Sequence, residues 1–135
     1  MWKISMCIAF SLVLSACATQ PVSFAKARPV EPSKVMDIGE GSAQILVKRD
    51  AGMVGSACDT RIYVNGKLRA LLGAGEVVRL RSNPGSVVIG AEPNGAFCGG
   101  NLKEVAGVAG AEQEARFRVL IDQSASMSVV QTATD

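Results

Sequence analysis

The 135-residue chain contains no histidine. That removes the side chain that most often serves as a general base near neutral pH, and the commonest nitrogen ligand for metals. Aromatic residues make up only 4% of the sequence: one Trp, one Tyr and four Phe, too few for stacking platforms that hold bases or sugars. No Gly-x-Ser-x-Gly elbow occurs, so the plentiful Ser and Thr carry no hydrolase signature. Gly73-Ala74-Gly75-Glu76 is too short for a phosphate cradle and lacks the Gly-Lys-Ser/Thr ending. Charge of one sign is also missing: 14 Lys+Arg stand against 12 Asp+Glu, which gives no long-range pull toward nucleic acid. No metal-ligating cluster and no cofactor motif are found. Among possible bases, Lys48, Lys67 and Lys103 read as solvated lysines in polar strand positions or loops. Glu112 and Glu114 share a strand face, where exposure rather than a cleft is expected.

The strongest signal lies at the start. Met1-Trp2-Lys3 carries one positive charge, and Ile4 to Leu14 is mostly apolar. A charged start, an apolar run of about 7–15 residues and small residues before a cut are the parts of a secretory signal. The run falls short of the roughly 20 apolar residues that cross a bilayer as a helix. Leu14-Ser15-Ala16-Cys17, at its end, resembles a bacterial lipobox. The resemblance implies that residues 1–16 are removed and that Cys17 carries a diacylglycerol thioether and an N-acyl chain. One acyl chain binds a membrane marginally, and two or more hold stably. Ala18, not aspartate, follows the cysteine, and the resemblance then implies the outer membrane, facing the periplasm. Inner-membrane or surface placement is the alternative. The covalent lipid on Cys17 is the sole cofactor-like group implied.

Without Lys3, the mature chain of about 119 residues (135 minus 16) has 13 basic against 12 acidic residues. This is the size of one domain. Of the four cysteines, Cys7 leaves with the leader and Cys17 is lipidated, so Cys58 and Cys98 remain. In an oxidising export compartment two such thiols are expected to pair. A metal site lacks histidine partners, and a redox pair usually reads Cys-x-x-Cys.

Residues 17–41 hold Pro21, Pro29 and Pro32 and show no apolar periodicity, so they read as a tether, about 25–30 Å from end to end as coil. Phe24 there reads as incidental. From Ser42 to about Thr132 the apolar period is two. Ile45 and Val47 alternate with Gln44 and Lys48, and Ile62 and Val64 with Arg61 and Tyr63. Asn65-Gly66 then signals a hairpin, because both turn residues need positive φ. Lys67–Leu72, Glu76–Arg81 and Val87–Ala91 continue the pattern, with Asn83-Pro84-Gly85 as a further turn. Ala115–Ile121 is the cleanest alternation, and Met127 and Val129 mark a closing strand. Between Pro93 and Ala111 five glycines intervene, and one short strand is expected at Leu102–Val105. Seven to eight short strands predict an all-β fold, a small antiparallel β-sandwich spanning 42–132.

Ile62-Tyr63-Val64-Asn65-Gly66-Lys67, Gly75-Glu76 and Pro84-Gly85-Ser86-Val87-Val88 together resemble PEGA-type surface domains. The return strand departs from that family, with Leu71-Leu72-Gly73-Ala74 lacking the usual Thr-Pro. The chain is also similar to proteobacterial lipoproteins with one Cys on each side of such a core. These resemblances imply a small β-sandwich of prealbumin-like or carboxypeptidase-regulatory-like architecture, no catalytic residues, and an adhesive or interaction role in the envelope. The expected partners are the membrane, through the lipid, and an envelope protein or cell-wall component. Arg69, Arg79, Arg81, Arg116 and Arg118 fall on the outward phase of three strands and form a candidate basic stripe, with ordinary solvation of a sheet face as the competing reading. A second functional reading is an inhibitor of a periplasmic hydrolase such as lysozyme, with Pro93–Gly100 as the plugging loop. Enzymatic chemistry through Lys or carboxylate groups is the weakest.

Overall fold

A computed structural model describes residues 20–133 apart from Met53. The leader, Cys7 and Cys17 lie outside the described residues. The fold is a sandwich of two sheets. Strands are β1 (Arg28–Pro29), β2 (Ala43–Arg49), β3 (Asp59–Val64), β4 (Lys67–Leu72), β5 (Glu76–Ser82), β6 (Gly85–Asn94), β7 (Lys103–Ala109), β8 (Ala115–Ile121) and β9 (Met127–Thr132). One sheet has the order β1-β5-β2-β8-β9 and the other β4-β3-β6-β7. Eight strands match the alternating runs of the sequence, and β1 is the addition. Pairing is mostly antiparallel, but β2–β8 and β1–β5 are parallel.

The two apolar phases meet face to face. Ile45 and Val47 of β2, Leu80 of β5, and Phe117 and Val119 of β8 pack against Ile62, Leu72, Val87 and Ile89 of the second sheet, all of them buried. Each such side chain contributes about 1.5–3 kcal/mol when fully removed from water. Asn65 and Gly66, at φ 50° and 78°, form the tight β3–β4 turn that their sequence demands.

Four loops share one end of the sandwich: β2–β3, the β4–β5 turn, β6–β7 and the β8–β9 turn. The Cys58–Cys98 disulfide joins the first and third of them, so this is the disulfide end. The Asn65-Gly66 turn, residues 83–84 and the β7–β8 loop lie at the other, the hairpin end.

The expected tether is instead docked onto the sandwich from Gln20 onward. The Gln20 amide donates to the Ala51 carbonyl at 2.8 Å, at the disulfide end. Val30 N–H reaches Val77 O at 3.0 Å as β1 extends the first sheet. A 3-10 turn at Pro32–Lys34 then redirects the chain to the edge of the second sheet, where Met36 N–H donates to Arg69 O at 2.8 Å. Arg81 N–H donates to Ile38 O at 2.6 Å, which returns the segment to β5. Residues 28–38 therefore cover the open edges of both β5 and β4, the backbone groups that would otherwise template aggregation. The prolines suit an edge, since they have no N–H to offer a ladder. A Cβ on Gly41 would run into the Ser82 carbonyl, so only glycine lets the chain pass the end of β5 into β2.

On the opposite seam β7 faces β9. The Gln131 amide imitates a strand neighbour: its Oε1 accepts from Val108 N–H at 3.2 Å and its Nε2 donates to Val108 O at 2.9 Å. The expected short strand at Leu102–Val105 is thus a seven-residue strand, Lys103–Ala109, held by β6 on one side and by this side chain on the other. Gly107 sits under the Phe117 ring, and a Cβ there would lie 2.8 Å from two ring carbons. Gly107→Ala is expected to lose about 1–3 kcal/mol through overpacking, read by urea denaturation; an unchanged midpoint would show that the ring yields freely.

Candidate functional site

Register decides which of the five arginines lie together. On the outer face of the first sheet, Leu46 pairs with Arg79 of β5 on one side and Arg116 of β8 on the other. Arg81 lies opposite Gln44 and Arg118 opposite Lys48. These four share a face. Arg69 does not: β4 belongs to the other sheet, and a β-bulge between Ile62 and Tyr63 leaves Arg69 as the extra residue of its strand. Its guanidinium is paired with Asp37.

The stripe is largely neutralised from within. Arg79 donates to Glu114 at 2.5 Å and to Gln44 at 2.8 Å. Arg116 lies 3.6 Å from the same Glu114. Arg118 grips Asp50 through Nε at 2.8 Å and a second nitrogen at 2.5 Å. A bidentate grip of this kind fixes the planar guanidinium and spends the donors a phosphate would need.

Residues 20–27 also lie over this face. The Phe24 ring has the Lys48 ammonium 4.2 Å from its centroid and the Arg116 guanidinium at 5.1 Å. Lys48 Nζ donates to the Val22 carbonyl, and the residue is only 2% exposed, so it is not the solvated lysine its strand phase implied. Phe24 is correspondingly no incidental aromatic. It places a π-face between two cations, an attraction that strengthens as water is removed.

The carboxylates are similarly committed. Asp37 lies at the hairpin end in a cleft of about 410 Å³ with Lys67, Arg69 and Arg81. The Gly39 N–H, then Lys67 and Arg69, hold its carboxyl below the usual range. Glu114 is occupied by Arg79 and Arg116, so Glu112 and Glu114 do not act as a free pair. On the outer face of the second sheet, the Tyr63 hydroxyl donates to Glu92, which Arg61 also contacts at 3.2 Å. Those bonds lower Glu92, chiefly through Tyr63, and raise Tyr63. Asp122 is lowered by Ser124 and by the Ser126 N–H.

A stability profile follows from these directions. A carboxyl lowered by folding contributes stability above its unfolded value, and that contribution is lost as pH falls through the folded one. Asp37, Glu92 and Asp122 therefore predict a loss below about pH 4. Lys34 is shifted the other way. Burial opposes its charge, but Asp59 and Glu76 prevail and raise it, so its contribution is lost only on the alkaline side, above about pH 10. With no histidine to titrate, the melting temperature should be flat from about pH 5 to 8. A thermal-melt series checks this, and a titration step near pH 6–7 would contradict it.

The disulfide end holds charges that the sequence reading missed. Arg49 is 1% exposed and points into the core in phase with Ile45 and Val47. It donates to the carbonyls of Cys58 at 2.5 Å, Gly55 at 2.6 Å and Leu72 at 3.2 Å, which ties the β2–β3 loop to the end of β4. Burial pulls it below its ordinary value, while the charges of Asp59 and Glu76 oppose that shift. Lys34 spans those two carboxylates at 3.2 and 3.6 Å. The phase of Arg49 was a readable signal. The bridging role of Lys34 was not, because its segment read as coil.

Cys58 and Cys98 are joined, with Cα atoms 6.1 Å apart, as the cysteine count predicted. Next to Cys98, Phe97 is fully exposed. Behind it lies a mostly apolar cavity of about 190 Å³ lined by the disulfide, Asp59, Thr60, Pro93, Ile121 and Met127. A shallow groove of about 780 Å³ runs along the β7–β9 seam past Val108, Glu114, Arg116 and Gln131. Among the described residues, no three His, Cys, Asp or Glu side chains converge as metal ligands, and no helix is long and apolar enough to cross a membrane. No protein family matches this chain, and no curated protein and no solved structure is similar to it.

Proposed function

We propose that this chain is a lipid-anchored protein of the bacterial envelope, acting without catalysis as a structural or interaction module at the outer membrane. The observation that carries the reading is Leu14-Ser15-Ala16-Cys17 at the end of a charged-then-apolar leader. The disulfide is consistent with an oxidising compartment. The resemblance of Ile62–Lys67 and Pro84–Val88 to PEGA-type domains supports an adhesive role. The commitment of Asp37, Glu92 and Glu114 to cationic or hydroxyl partners supports a non-enzymatic one. In-cell crosslinking followed by purification from envelopes tests the function. Recovery of a defined envelope protein or cell-wall fragment supports it, and recovery of nothing above background, with no envelope defect on deletion, counts against it.

Inhibition of a periplasmic hydrolase is the second reading, and exposed Phe97 on the pinned loop favours it. Plugging a cleft requires a protruding, freely approached loop. Gln20, bonded to Ala51 at that same end, argues against it, because an anchor at Cys17 would sit beside the loop. Assay of the purified protein against lysozymes and proteases decides it, and no inhibition at micromolar concentration removes it.

A further inference from the structure

We infer that the disulfide end of the sandwich lies on the lipid bilayer, with Phe97 entering the boundary between headgroups and acyl chains. This rests on the anchored reading above and adds an orientation to it. Three observations converge.

The first is reach. The Gln20 amide, at the start of the described residues, is bonded to Ala51 O at the disulfide end. Only Ala18 and Thr19 lie between Gln20 and Cys17, a span of at most about 11 Å. A free tether of residues 17–41 would have let the domain stand off and turn. With the segment docked, the anchor pulls one particular end of the sandwich to the surface.

The second is charge. The loops at this end are uncharged over Ala51–Cys58, Gly73–Gly75 and Pro93–Leu102; of the charges that border them, Asp50 is held by Arg118 and Asp59 and Glu76 by Lys34, with Arg28, Lys103 and Asp122 at the rim. The hairpin end offers no uncharged loop of comparable length, and Asp37, Glu40, Lys67, Arg81, Glu112 and Glu114 all belong to it. An ionic group costs much more than an amide or a glycine on entering the interface, so the uncharged Pro93–Leu102 loop is the part that can enter it.

The third is Phe97. It is fully exposed, and the disulfide at Cys98 fixes its loop to the β2–β3 loop rather than leaving it to fold back. Leu102, 44% exposed, ends the same uncharged run. Aromatic side chains favour the membrane interface, and a polypeptide already held there by lipid needs only weak additional contact to settle in one orientation.

The test uses tryptophan fluorescence. The sequence has one Trp, Trp2, which lies in the leader, so a tryptophan placed in the mature chain reports alone. Acylated full-length protein carrying Phe97→Trp is reconstituted into phosphatidylethanolamine–phosphatidylglycerol vesicles doped with chain-brominated phosphatidylcholine. Ala111→Trp, on the exposed β7–β8 loop, is the control. Mass spectrometry first establishes acylation and loss of Trp2. The expected result is a blue-shifted F97W emission, quenched at least about twofold more than A111W by bromines within about 5–10 Å of the surface. Acylated, vesicle-bound protein in which both variants emit as in water overturns the orientation and leaves the anchored reading intact. Protection of F97W from soluble quencher in native envelopes, without quenching by brominated lipid, also overturns it and assigns the loop to a protein partner. Absence of acylation overturns both.

Discussion

Replacing Cys58 and Cys98 with serine is expected to lower the melting temperature by about 15–20 °C. The bridge closes a sequence separation of 40 residues, and the chain-entropy account assigns such a loop about 4 kcal/mol of stability through the unfolded state. The two loops it joins, β2–β3 and β6–β7, are glycine-rich and have little regular pairing of their own. Each keeps one short turn, Cys58 N–H to Gly55 O at 3.1 Å and Cys98 N–H to Gly95 O at 3.2 Å. The core strands do not depend on the bridge, so the double variant should still fold at low temperature. Thermal melts with and without reductant check this. A fall of less than about 5 °C would mean that other contacts already order both loops.

Arg49→Ala is expected to cost about 3–5 kcal/mol, read as a shift in the urea midpoint at unchanged slope. The guanidinium is buried, and its donors serve the carbonyls of Cys58, Gly55 and Leu72. Removal strands those acceptors, each worth about 1–3 kcal/mol if left unsatisfied and dry. It also takes away a buried cation that interacts with the charges of Asp59 and Glu76. Arg49→Lys should recover only part of the loss, since an ammonium on a flexible stem cannot match a planar fork aimed at three oxygens. A loss below about 1 kcal/mol for the alanine variant would show that water reaches these carbonyls.

How much of this was readable depends on which physical signal each feature leaves. Period-two patterning is strong where a strand has one dry face, as in Ala115–Ile121, where Ala115, Phe117, Val119 and Ile121 are all buried. The Asn65-Gly66 turn was readable because its dihedrals demand those residue types. Pairing direction was not, since a half-buried strand alternates in the same way whether its neighbour is parallel or antiparallel, and β2–β8 is parallel. Segment 20–41 escaped notice for another reason. It makes one or two backbone bonds to each edge it passes, and so few contacts impose no period. The arginine stripe shows what phase can and cannot do. Phase placed Arg79, Arg81, Arg116 and Arg118 outward, but only strand order could show that Arg69 sits on the other sheet, and only the docked segment could bring Phe24 over Lys48.

Residues 20–41 are part of the folded domain, so that only Ala18 and Thr19, rather than a long tether, lie between it and Cys17. Hydrogen exchange resolved to single amides decides it. The amides of Val30 and Met36, bonded to Val77 O and Arg69 O, should exchange as slowly as those of neighbouring edge strands. Exchange of these amides at the rate of free coil, with β2 and β8 still protected, would contradict the claim.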